Sequence, residues 1–149
     1  PLRQHIKQAI ENGLPCYAEC GGLMYLAEHI IWQGQSVPMV GVIPADAVMC
    51  ERPQGRGYIR LKETEHMPWA KTKRDNDTST VIYAHEFHYS RLENLRKKGT
   101  YAYEVLRGAG IDGKHDGWVY KNLLASYAHL RDTSQYHWAQ RFVDFVRTC

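Results

Sequence analysis

A cysteine followed at once by two glycines, Cys20-Gly21-Gly22, is the most chemically suggestive stretch of this sequence. It lies in LPCYAECGGLMYL, residues 14–26, with Cys16 four positions earlier. Structural zinc sites usually use Cys-x-x-Cys and a second pair. The spacing here is Cys-x-x-x-Cys, and Cys50 and Cys149 have no partner near them in sequence, so no metal site is expected. A Cys16–Cys20 disulfide would need a tight loop and an oxidising setting, and nothing in the sequence supports either. Cys16 alternates with Tyr17 in an expected strand, which suits buried packing. Cys20 follows that strand and precedes a helix. A sharp strand-to-helix turn lifts a side chain above the sheet, and glycines permit the close approach. Unpaired N–H groups at the helix start would lower a thiol pKa and stabilise an oxyanion. Cys20 is therefore the candidate nucleophile; a buried cysteine at a glycine turn is the structural alternative.

A thiol nucleophile needs a base. Among eight histidines, His129 ends an expected strand, LLASYAHL, residues 123–130. Carboxyl ends of strands face the crevice of an open α/β sheet, where sites form. Any single histidine is more often structural. His85 and His88, three apart in a strand, would point to opposite faces and so not chelate one ion easily.

The elements that must position these groups follow from pattern. Leu2, Ile6, Ala9 and Ile10 share a helical face, and Gly13 ends the run. A strand over residues 14–18, a turn through Cys20 and a helix over residues 23–30 give an α/β grammar. Residues 38–62 read as two strands joined by a Pro-Gly turn. Residues 63–79 read as a polar loop with a charged, mobile centre, KTKRDNDTS. TVIYAHEFHYS is a long or kinked strand, and β pattern continues through TYAYEVLRG, DGWVYKN and LLASYAHL. A closing amphipathic helix places Trp138, Phe142, Phe145 and Val146 toward the core. With 149 residues and no clear linker, one domain spanning residues 1–149 is expected.

Bulk properties narrow the class. A 44% hydrophobic share is globular, and no apolar run is long enough to span a bilayer. Nineteen basic against 16 acidic residues give a net charge of +3, with the basic residues scattered. That does not indicate nucleic acid, and a solvated face explains RLENLRKKG. Four cysteines form no dense framework, which favours a reducing cytoplasm.

PCYAECGGLMYL resembles the nucleophile segment of the class I glutamine amidotransferase domain of cobyrinic acid a,c-diamide synthases. HEFHYS, residues 85–90, resembles a second motif of that family, ASYAHL, residues 125–130, a third, and GYIRL, residues 57–61, the strand between them. The resemblance implies a flavodoxin-like α/β fold, a mixed sheet flanked by helices. It implies that Cys20 attacks a glutamine carboxamide, that Gly21 donates to the oxyanion, and that His129 serves as base. Glu86 and His88 would lie near the cleft. In this family an N-terminal ATP-dependent synthetase domain, using magnesium, amidates a tetrapyrrole such as cobyrinic or hydrogenobyrinic acid with the released ammonia. No cofactor is expected in the amidotransferase domain itself.

Two departures matter. The usual class I triad has a glutamate two residues after the histidine, where this chain has Arg131. The orienting group is left open, with Asp132 and Glu86 as alternatives. The family's domain also begins with a strand and a Gly-Gly loop that are not seen here. The chain is expected to be a C-terminal piece without its first strand, without one oxyanion donor and without the synthetase domain. Losing such a donor costs about 100- to 1000-fold in rate. The open sheet edge could pair with a second copy as a homodimer. Competing readings are an amidotransferase of a sirohydrochlorin- or sirohaem-amidating relative, another Cys–His hydrolase such as a peptidase or deglycase-like protein, and a catalytically weak partner-binding domain.

Overall fold

A computed structural model describes residues 1–71 and 80–149. The charged segment KTKRDNDTS therefore lies, apart from Lys71, outside the described residues. The chain opens with helix α1 (Leu2–Glu11), which buries Ile10 and leaves Leu2 largely exposed. Gly13, at φ +93°, turns the chain out of the helix. Only glycine takes that backbone without strain. Strand β1 (Cys16–Glu19) follows, then the short helix α2 (Gly21–Leu26).

The expected helix over residues 23–30 is corrected here. The chain leaves α2 at Leu26 and continues as strand β2 (Ala27–Trp32). AEHIIW carries β-branched residues together and an apolar pattern that fits either period, so tertiary pairing decides. Strand β2 pairs with β3 (Gln35–Pro38) on one side and with β4 (Ile43–Met49) on the other. Strand β7 (Ser90–Glu93) completes this four-stranded sheet, in the order β3-β2-β4-β7.

The larger sheet has six strands: β1, β10 (Leu123–Ser126), β9 (His115–Tyr120), β8 (Tyr101–Arg107), β5 (Gly55–Glu63) and β6 (Ile82–His88), in that order. The two strands expected within residues 38–62 thus exist but belong to different sheets. The kink expected in TVIYAHEFHYS is real. The chain leaves the large sheet at His88 and enters the small one at Ser90. β1 and β10 run parallel, with Glu19 opposite Ser126, while the other pairs of the large sheet are antiparallel. The expected strand over residues 123–130 ends at Ser126; beyond it, His129 forms an isolated bridge to His85.

All four residues of β10 are buried. Leu123 and Ala125 face one apolar cluster with Ile10, Leu23, Leu26 and Trp118; Leu124 faces the other with Ile59, Leu61, Trp69 and Tyr103. This alternation follows from the two-residue repeat of a strand. Helix α3 (Trp138–Thr148) covers the second cluster through Trp138, Phe142 and Phe145. Val146, expected inward, is 44% exposed and points away. Arg141 is buried instead, donating to both carboxylate oxygens of Glu63 and to the carbonyls of Trp69 and Ala70. A buried guanidinium needs such partners for its donors.

Candidate active site

Cys20 caps the start of α2 with φ +46° and ψ −100°. This is the left-handed region, which a side chain adopts only under strain of about 1–3 kcal/mol. Two contacts enforce it. The Cys20 N–H donates to the Ser126 carbonyl at 2.8 Å, which ties the turn to β10. Its carbonyl accepts from the Met24 N–H at 3.0 Å, which starts the helix. Gly22 is needed for space, because a Cβ there would lie 3.1 Å from Ala18 Cβ. Gly21 is not crowded at all: a Cβ there meets nothing within 4 Å. Its N–H is directed at the Cys20 thiol.

The Cys20 thiol is half-buried, with Sγ 3.7 Å from the Phe87 carbonyl oxygen. Burial pushes its pKa up; the Gly21 N–H pulls it down, and the charges of Glu19 and Asp116 push it up again. The outcome is a raised pKa, contrary to the expectation that the helix start would lower it. Helix α2 has only six residues, too few for a strong end potential, and desolvation wins. Burial thus favours the neutral thiol over the thiolate.

His129 is fixed on three sides. Its N–H donates to the His85 carbonyl at 2.7 Å, and its own carbonyl accepts from the His85 N–H at 3.2 Å. Its ring Nδ1 lies 3.1 Å from Glu19 Oε2. The turn that precedes it is anchored from below by Asp116, fully buried, which accepts from the N–H groups of Tyr127 and Ala128, each at 2.9 Å. Burial raises the Asp116 pKa to about 6 against the pull of three backbone donors, including Gly117 N–H. Asp116 carried no signal in the sequence beyond a turn-like Asp-Gly pair.

Glu19 was not singled out in the sequence either. It ends β1 immediately before Cys20, opposite Ser126 of β10. Its Oε1 accepts from the Tyr17 hydroxyl at 2.5 Å and from the Leu130 N–H at 2.9 Å. Tyr17 is in turn locked between Trp69 and Trp138, with ring centroids 5.2 and 4.9 Å away. The alternatives weighed for the orienting carboxylate are engaged elsewhere. Asp132 pairs with His137, and Glu86 with His88. Arg131 is exposed.

Glu86 and His88, expected near the cleft with substrate contact, structural support and domain contact as open roles, are buried at 2% and 4% exposure. The reason is strand alternation: they share the inward face of β6, while His85 and Phe87 face out. Glu86 accepts from Ala109 N–H at 2.7 Å and Gly110 N–H at 3.0 Å. Burial alone would raise its pKa, but His88 and these donors hold it below the usual carboxylate range. His88 Nδ1 donates to the Ser90 carbonyl at 2.8 Å, Nε2 faces Glu86 at 3.2 Å, and the ring stacks on Tyr127 at 3.9 Å. Gly55 makes room for the pair, since a Cβ there would sit 2.2 Å from His88 Nε2. Their work is to brace the 108–110 turn and Tyr127.

Elsewhere, Glu28, His29 and Asp46 cluster with ligand-like spacing. Arg96 already pairs with both carboxylates, at 3.1 and 3.3 Å, so the group is a closed ion-pair knot and does not fit a cation. No helix among the described residues is long and apolar enough to cross a membrane.

A strained cysteine at a strand-to-helix turn, with a histidine three residues beyond the end of the neighbouring parallel strand, sits on a fold shared with glutamine amidotransferases. A solved glutamine amidotransferase matches with TM-score 0.63 at 14% identity, over 98% of this chain and 68% of that one. PurLQS from Thermotoga maritima matches with TM-score 0.66 at 11% identity, over 99% and 67%. At such identities the likeness concerns the fold. Residues 1–135 match the CobB/CobQ-like glutamine amidotransferase domain, and the chain belongs to that family. It is 41% identical over 142 residues to cobyrinate a,c-diamide synthase of Magnetococcus marinus, covering 95% of this chain and 29% of the relative. The same enzyme of Archaeoglobus fulgidus is also 41% identical over 142 residues, covering 95% and 30%. The chain thus spans about three tenths of the length of the curated relatives it matches.

Proposed function

We propose that this chain is the glutamine-hydrolysing part of a cobyrinate a,c-diamide synthase, and that Cys20 is its nucleophile and His129 its base. The observation that carries the reading is the Cys20 turn. Its strained backbone is fastened to β10 through Ser126, and His129 follows that strand by three residues. Strain kept at Cys20, with the Gly21 N–H directed at its thiol, suits attack on a carbonyl carbon.

The steps follow from the groups present. Glutamine brings its carboxamide carbon to Sγ. The thiol proton passes to His129, and the tetrahedral oxyanion takes the Gly21 N–H. His129 returns the proton to the departing nitrogen, releasing ammonia and leaving a glutamyl thioester. Water, deprotonated by His129, then hydrolyses the thioester to glutamate. Burial, which raises the Cys20 pKa, makes a base necessary to take the thiol proton. The remainder of the enzyme would activate carboxylates of a tetrapyrrole with ATP and magnesium and receive the ammonia, in the cytoplasm; no residue of this chain is assigned to ATP or magnesium. Glu86 and His88 act in this scheme as braces.

The test is intact-mass analysis and peptide mapping after exposure to 6-diazo-5-oxo-norleucine, an electrophilic glutamine mimic. A single adduct on Cys20, slowed by glutamine and absent from Cys20→Ala, is expected. Equal labelling of Cys16, Cys50 or Cys149, or labelling that glutamine does not slow, would overturn the reading.

A further inference from the structure

We infer that Glu19, the residue immediately before the nucleophile, is the carboxylate that orients the base His129. The inference deepens the proposed glutamine hydrolysis and rests on it for its catalytic consequence.

Three observations carry it. Glu19 Oε2 lies 3.1 Å from His129 Nδ1, whereas Asp132 and Glu86 are committed to other histidines. A carboxylate only accepts, so Nδ1 carries the hydrogen and Nε2 is left with its lone pair, the form a general base requires. Glu19 is itself held. The Tyr17 hydroxyl and the Leu130 N–H both donate to Oε1, which leaves Oε2 aimed at the imidazole. Leu130 directly follows His129, so one carboxylate grips both the ring and the backbone of this segment.

The topology explains why one residue can do this. β1 and β10 are parallel neighbours, so their carboxyl ends emerge side by side. β1 delivers Glu19 and Cys20, and β10 delivers His129 after a two-residue turn held by Asp116. Successive strand residues point to opposite faces, yet Cys20 has left the strand through its left-handed backbone. Glu19 can therefore face His129 from the sheet while Cys20 turns above it. The chemistry is that of a nucleophile–base–carboxylate set in which the carboxylate comes from the nucleophile's own strand. As His129 takes the thiol proton, Glu19 stabilises the imidazolium that forms.

The test compares wild type with Glu19→Gln and Glu19→Ala. Glutamine keeps an acceptor oxygen for Tyr17 and Leu130 but loses the charge, so it separates orientation from folding. Ring-nitrogen NMR, assigned with His129→Gln, reads which nitrogen of neutral His129 carries the hydrogen. Nδ1–H is expected in wild type, with a shift toward Nε2–H in Glu19→Ala. Inactivation by 6-diazo-5-oxo-norleucine is measured alongside. The maximal rate should fall on the order of 100- to 10,000-fold in both variants, with the half-saturating concentration unchanged. An Nε2–H ring in wild type, or variants inactivated at the wild-type rate, would overturn the role of Glu19. Should wild type resist the glutamine mimic while its ring is Nδ1–H, the glutamine reading fails and the orientation by Glu19 stands on the NMR result.

Discussion

The Asp116→Asn variant tests how the base is supported. Asp116 is fully buried and holds the Tyr127 and Ala128 N–H groups just ahead of His129. Burial raises its pKa from 3.8 to about 6. A carboxyl group raised in the folded state binds its proton more tightly there than in the unfolded chain. Its contribution to stability is therefore greatest below about pH 4, declines as pH rises to about 6, and is flat above. At roughly 1.4 kcal/mol per pH unit, that gap corresponds to about 3 kcal/mol. Glu86, Asp46 and Asp112 have lowered pKa values and pull the opposite way, losing stability as pH falls. The difference between wild type and Asp116→Asn removes most of that background. Asparagine keeps one acceptor but turns an amide toward a backbone donor, a pH-independent cost of about 1–3 kcal/mol. Urea denaturation from pH 4 to 7.5 should show the variant gaining on wild type by about 3 kcal/mol across the window. Parallel stability curves for the two proteins would refute the argument, as would a gain confined to pH above 7.

Arg141→Met should cost about 3–5 kcal/mol, because it strands Glu63 and the carbonyls of Trp69 and Ala70 in a buried site. Calorimetry should show a drop on the order of 10 °C in Tm, and adding Glu63→Gln should recover part of it. Cys20→Gly should raise stability by about 1 kcal/mol in urea denaturation, since glycine relieves the φ of +46° at a smaller entropic cost, while labelling by 6-diazo-5-oxo-norleucine disappears. A less stable Cys20→Gly protein would show that the turn is not strained.

The glycine pair after Cys20 was enough to place the turn, because its steric logic is local. Helix α1 was legible from Ile6, Ala9 and Ile10, and α3 from Trp138, Phe142 and Phe145, because an amphipathic face repeats within one element. Strand β2 was not, since AEHIIW suits both periods and only pairing with β3 and β4 settles it. The strand pattern of β6 correctly separated His85 from His88, but not which face was inside. The partner of His129 was illegible for a different reason. Glu19 and His129 are 110 residues apart, and nothing in either segment says that β1 lies beside β10. Motif knowledge directed attention to the position after the histidine, while the contact came from the residue before the cysteine.

That separation gives the chemistry a place in time. In the order of synthesis the Cys20 thiol precedes His129, and the strand that bends its own backbone, by more than 100 residues. Closing so long a loop is slow compared with local helix formation. Until it closes, Cys20 is an ordinary flexible cysteine without strain, without His129 and without the Ser126 anchor. A growing chain therefore keeps the thiol and the imidazole apart on its way to the folded state. The Cys20–Glu19–His129 arrangement forms in one step, with the docking of β1 against β10, and any lesion that unzips that pair dismantles it just as abruptly.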